Sequence, residues 1–212
     1  MLELVFFIVV IGIFWQVLSG QQSATGALAR RQLSPQLTTA IGYADRLYDE
    51  HRFLAAEKAY LAVLKLDHKN LMAYNRLGII YSAQKNMADA IECFEIATRL
   101  RPSSMTYLNL GIGFYENRNY IKSIAAIKKA IMFEPSAHRY IALAKAYSKI
   151  ADTRSMIEAL EHAVELDPSR SNLTLLRDAY YQAGKKDHLA TVTERLKSLG
   201  GPGAATVRRA HI

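Results

Sequence analysis

The sequence predicts an all-α fold: a stacked array of about five helix-turn-helix units, preceded by one transmembrane helix. Three observations carry this expectation. Pro102, Pro135 and Pro168 recur at intervals of 33 residues, a period that marks one supersecondary unit added to the next. The same residue types return at the same offsets before each proline. Ahead of the array, Leu4 to Trp15 form an unbroken apolar run.

In chain order, that apolar run comes first. Val17 and Leu18 extend it past Gln16 to the polar stretch that begins at Ser19. A bilayer core of about 30 Å needs about 20 helical residues, with a working minimum near 17. Met1 to Leu18 reaches this minimum if Glu3 extends to the head groups, and Trp15 and Gln16 suit the opposite interface. Residues 1–19 are therefore read as an uncleaved membrane anchor. A cleaved secretory signal is the competing reading, and would leave a periplasmic or secreted protein. Its amino end should be basic, yet here it has Glu3 and no Lys or Arg, and the Ala27-Leu28-Ala29 triplet lies about ten residues beyond the run. Arg30 and Arg31 follow the span and no cation precedes it, so the charge bias puts the amino terminus outside and the helical array in the cytoplasm. Residues 20–36 read as a polar linker.

The array is read as units 37–70, 71–103, 104–136, 137–169 and 170–202, followed by a flexible tail at 203–212. Before Pro102 stand Tyr74, Leu77, Gly78, Tyr81, Ala90, Phe94 and Ala97. Before Pro135 stand Tyr107, Leu110, Gly111, Phe114, Ser123, Ile127 and Ala130, and before Pro168 stand Tyr140, Leu143, Ala144, Tyr147, Met156, Leu160 and Ala163. The first unit keeps the register loosely with Ala40, Tyr43, Leu47, Ala56, Tyr60 and Val63, and His68 stands in the proline place. The last keeps it with Leu173, Leu176, Tyr180, Leu189 and Leu196. One helix pair cannot bury its own apolar stripe, so pairs pack on pairs; the small residues let helices approach and the large ones fill the space between. In the last helix Leu189, Val192, Leu196 and Leu199 form an apolar stripe, with Thr193, Glu194, Lys197 and Ser198 left for water.

This series resembles the tetratricopeptide repeat, whose pattern runs aromatic, Leu-Gly, aromatic, Ala, aromatic, Ala, Pro. The resemblance implies a right-handed superhelical α-solenoid whose first helices line an inner groove that accepts peptides. Carried over by register, the groove residues are Asp45 and Tyr48, then Asn75, Ile79 and Ser82, then Leu108, Ile112 and Tyr115. Ile141, Lys145, Ser148 and Lys149 continue it, and Asp178 and Tyr181 close it. The alternative for each is packing against a neighbouring helix. Relatives that grip a terminal carboxylate use Lys, Arg and Asn at set groove positions; Asn75 and Asn109 lie near such places, but Asp45 and apolar residues stand where the cations should. The groove reads instead as apolar and aromatic with a polar rim, the pattern of an interaction hot spot.

Composition narrows the chemistry. The net charge is +8 and the pI about 9.5, but Arg30-Arg31, Lys128-Lys129, Lys185-Lys186 and Arg208-Arg209 are dispersed pairs among acids, which does not predict a nucleic-acid partner. The single cysteine, Cys93, cannot form an internal disulfide and reads as a small buried residue. His51, His68, His138, His162 and His188 are isolated in sequence and read as turn or surface residues rather than ligands. There is no phosphate-binding loop, no HExxH and no GxSxG, and Gly111-Ile112-Gly113 lies within a helix with no third glycine after it. No catalytic, cofactor or metal residue is assigned. The expectation is a non-enzymatic, membrane-anchored adaptor that binds a partner protein or peptide segment in its groove. A self-assembling structural protein is the alternative.

Overall fold

The computed structural model describes residues 34–199. The anchor expected at 1–19, the cleavage alternative and the tail at 203–212 lie outside these residues. Among the described residues there are ten α-helices and no strand, and none of the helices is long and apolar enough to cross a membrane. The chain divides between His68 and Lys69 into two compact units.

The described part of the first unit is one helix pair, α1 (Pro35–Asp49) and α2 (Phe53–Leu66). Helix α1 begins two residues before the unit boundary read from the sequence. The Ser34 hydroxyl accepts the Leu37 N–H, and Pro35 takes the first helical position, where its missing N–H leaves no bond unmade. Pro35 and Gln36 therefore open the helix rather than end the linker. Ala44, Leu47, Ala56, Tyr60 and Val63 are buried. Tyr43, in register with core positions of the later units, is exposed.

The second unit is a stack of four pairs: α3 (Leu71–Ala83) with α4 (Met87–Leu100), α5 (Ser104–Glu116) with α6 (Tyr120–Phe133), α7 (Ala137–Lys149) with α8 (Thr153–Leu166), and α9 (Arg170–Gln182) with α10 (Lys186–Ser198). The second helix of each pair also packs on the first helix of the next. Helices α4, α6 and α8 stop at Leu100, Phe133 and Leu166, where the next residue turns extended. Each periodic proline follows that residue and is followed by a serine. Ser103, Ser136 and Ser169 cap α5, α7 and α9 by accepting the N–H three residues on, as Asn70 does for α3. The proline blocks continuation of one helix and the serine satisfies a free donor of the next.

Inside each pair the turn is the same. Lys85, Arg118, Ala151 and Gly184 have φ of +65°, +60°, +56° and +66°. The N–H of each bonds back to Ser82, Tyr115, Ser148 or Tyr181, and the following N–H reaches the carbonyl of Tyr81, Phe114, Tyr147 or Tyr180. This double closure satisfies carbonyls that a helix end leaves free. His51 does the same in the first unit, with φ +56°. Only one of the five positions is glycine.

Core clusters form within the second unit. Ala90, Phe94, Leu110, Phe114 and Ala126 form one; the larger runs from Ile124 and Ile127 through Leu143, Tyr147 and Leu160 to Leu176, Val192 and Leu196. The small residues sit where the sequence requires close approach: a Cβ on Gly111 would lie 2.6 Å from Ile127 Cγ1, and one on Gly113 3.1 Å from the Phe94 ring. In α10, Val192 and Leu196 are buried and Leu189 half-buried, whereas Leu199 lies past the helix end and is exposed. Cys93 is buried, and burial, then Glu92 and Asp89, push its thiol pKa up to about 12.

Candidate partner-binding groove

First helices α7 and α9 lie side by side, with α8 beneath them, and leave a cleft of about 280 Å³. Ile141, Ala144, Lys145 and Ser148 line it from α7; Met156 and Leu160 from α8; Leu175, Asp178, Ala179 and Gln182 from α9. Most of this lining is apolar, and the polar groups stand on the rim.

Four of the residues carried over by register line this cleft: Ile141, Lys145, Ser148 and Asp178. Lys149 is exposed in the last turn of α7, and Tyr181 is 72% exposed near the end of α9. Ile112 on α5 is also exposed. Other expected members face the interior. Asn75 is buried and its carbonyl oxygen accepts from the Asn109 amide at 3.5 Å. Ile79 packs on the smaller core cluster, and Leu108 and Tyr115 on the larger. Tyr115 also meets Tyr120 edge-on with centroids 5.6 Å apart, and Ser82 is half-buried. In the first unit Asp45 accepts the Tyr60 hydroxyl, and Tyr48 stands edge-on to Phe53 at 5.9 Å. In the second unit these residues trade groove exposure for packing, because a first helix there meets both its own partner and a helix of a neighbouring pair.

Register alone did not single out Leu175, Gln182, Met156 and Leu160 as lining. Leu175 and Gln182 stand three before and four after Asp178, so helical spacing from that residue was the available signal. Met156 and Leu160 occupy repeat-core positions on a second helix and reach the cleft only through the packing of α8 beneath α7 and α9.

The rim is electrostatically uneven. The Ser148 hydroxyl donates to the Lys145 carbonyl within its own helix, and Asp178 pairs with Arg177 at 2.6 Å. Lys145 and Lys149 are exposed and enter no ion pair among the described residues. The cleft contains no His or Cys, and no cluster of three His, Cys, Asp or Glu side chains suited to a metal occurs among the described residues. What this arrangement can do is bury an apolar side chain and attract an anion.

Clefts of about 400 and 390 Å³ lie elsewhere in the second unit. The first is lined by Lys128 and Met132 of α6, Tyr147 of α7 and Glu158 of α8; the second by Glu161 and Glu165 of α8, Tyr180 of α9 and Asp187 of α10. Tyr180 donates its hydroxyl to Glu161 across the second.

Comparison with known proteins agrees with the repeat geometry. A tetratricopeptide repeat model matches residues 72–104, and a second tetratricopeptide repeat model matches residues 137–170. The chain carries tetratricopeptide repeats over both spans. Among solved structures it is similar to a MamA protein at 24% identity, with a TM-score of 0.69, covering 77% of this chain and 91% of that one. It is similar to MamA from Desulfovibrio magneticus RS-1 at 17% identity, with a TM-score of 0.70, covering 80% and 97%. It also resembles YrrB, described as a tetratricopeptide protein with an unusual peptide-binding site, at 14% identity, with a TM-score of 0.63, covering 89% and 97%. These likenesses establish the fold, an all-helical tetratricopeptide solenoid. No curated protein sequence matches the chain.

Proposed function

We propose that this protein is a non-enzymatic adaptor that holds a partner protein or peptide segment against its first helices and is fixed to a membrane by residues 1–19. The observation that carries the reading is the apolar cleft between α7 and α9, with its polar rim and exposed Tyr181 nearby. An apolar floor with a polar rim is the arrangement that anchors a partner segment, because the floor supplies burial and the rim sets orientation. The fold is one built for protein interaction, and it is shared with YrrB, which is described as having a peptide-binding site. The apolar run before Trp15 supports anchoring, and Arg30 and Arg31 support a cytoplasmic array with the amino terminus outside. Tethering then raises the partner's local concentration at the bilayer without chemistry.

The test is affinity capture from detergent-solubilised membranes with wild type and with Ile141→Arg/Leu175→Arg. These exchanges place charge on the cleft floor. Partner recovery falls at least about tenfold, the equivalent of roughly 1.4 kcal/mol. Equal recovery by the variant sinks the groove reading, and recovery of the intact chain in the carbonate-washed soluble fraction sinks the anchor.

A further inference from the structure

We infer that the cleft between α7 and α9 selects acidic segments, namely a peptide that inserts one bulky aliphatic or aromatic side chain and carries Asp or Glu within about one helical turn of it. The inference rests on the groove reading above and specifies its ligand. The cleft volume, about 280 Å³, has room for one large side chain. Its floor is made by Ile141, Ala144, Met156, Leu160, Leu175 and Ala179.

Charge decides which anchored segment is favoured. Lys145 lines the cleft and Lys149 stands one turn further along the same helix, so the two ammonium groups share a face. Neither has an anionic partner among the described residues. The one carboxylate in the lining, Asp178, is already engaged by Arg177. Lys149 has a second reason to be where it is, since a cation suits a helix's last turn. Lys145, a turn earlier and beside the apolar floor, has no such role. A partner carboxylate near the anchor therefore meets two unpaired cations, and a partner Lys or Arg meets repulsion, which is how rim charges discriminate between partners.

The test uses the full chain in nonionic detergent and a displayed library of random twelve-residue peptides. Wild type enriches sequences with a large apolar residue and Asp or Glu beside it. Lys145→Glu/Lys149→Glu, altered only at exposed positions, inverts the preference toward Lys and Arg, and Ile141→Arg/Leu175→Arg enriches nothing. For an enriched peptide made synthetically, Glu→Gln weakens binding to wild type by roughly fivefold, and the difference shrinks as salt is raised. Apolar peptides enriched without a charge preference, or with one that charge reversal leaves unchanged, overturn this inference and leave the groove reading standing. No enrichment by wild type, or enrichment that survives Ile141→Arg/Leu175→Arg, overturns both.

Discussion

Gly78 on α3 lies flat against the ring of Phe94 on α4, so that a Cβ built on the glycine would stand 2.5 Å from the ring. Real side chains do not pack at that distance, so a methyl here must push α3 and α4 apart or drive Phe94 off its rotamer. The ring has little room to yield, because its Cδ2 and Cε2 atoms meet Gly113 of α5. Gly78→Ala is expected to destabilise the protein by about 1–2 kcal/mol, after subtracting the roughly 1 kcal/mol that alanine gains in helix propensity. Gly111→Ala, against Ile127, behaves alike. Gly42 is the control: it lies exposed in α1 with nothing within 4 Å of its Cβ position, so Gly42→Ala stabilises by up to about 1 kcal/mol. Urea titration of the three variants decides the matter, and a loss at Gly42 equal to that at Gly78 would contradict the packing argument.

The turns inside the pairs store a small strain. Ala151 has φ +56°, a region that costs an L-residue about 1–2 kcal/mol and a glycine almost nothing. Ala151→Gly is expected to raise stability by about 0.5–1 kcal/mol, once the greater chain entropy of unfolded glycine is deducted. Gly184→Ala should lower it by a similar amount, although nothing crowds that position. Thermal midpoints moving in opposite directions are the outcome to look for.

Ser123 holds the place that Ala90 occupies in the preceding pair. It is fully buried, and its hydroxyl has no hydrogen-bond partner. A buried donor left unpaired costs about 1–3 kcal/mol. Replacing Ser123 by Ala removes that cost without leaving a sizeable hole, so a gain of about 1 kcal/mol in denaturant unfolding is expected. A loss of stability in Ser123→Ala would show that the hydroxyl finds a partner in solution.

Cys93 makes stability depend on alkaline pH. Its ordinary thiol pKa of 9.0 rises to about 12 in the fold, through burial first and then Glu92 and Asp89. Between those values the unfolded chain has released the proton and the folded chain still holds it, so folding loses stability as pH climbs from 9 toward 12 and keeps it in full below 9. Cys93→Ala should flatten the decline of unfolding free energy over that window. Iodoacetamide at pH 8 should modify the native thiol far more slowly than the thiol of the urea-unfolded chain.

Much of the fold was legible because a repeat writes the same constraint several times. The proline interval located the ends of α4, α6 and α8, and the glycine offset located the closest helix approaches. The Pro-Ser junctions were equally visible, but their capping role depends on the serine's extended backbone. Four of the five left-handed turns were not legible, since His51, Lys85, Arg118 and Ala151 stand where a glycine would signal one. Of the residues that register carried over to a groove, Ile141, Lys145, Ser148 and Asp178 line the cleft between α7 and α9, whereas Asn75 is buried and Ile79, Leu108 and Tyr115 pack against the core clusters.

What the sequence determined alone is therefore periodic: helix content, unit length, and which positions are small or large. These are local properties, set by backbone sterics and by apolar spacing within single helices. The tertiary structure decided which side chains remain in the cleft. Whether Leu175 is a wall or Asn75 a core residue depends on how far one pair is set against the next, and that follows from side-chain volumes on three helices at once. Register places Lys145 among the groove residues but says nothing of its surroundings. It gains its meaning only beside an apolar floor contributed by α8 and α9, with the nearby carboxylate already held by Arg177.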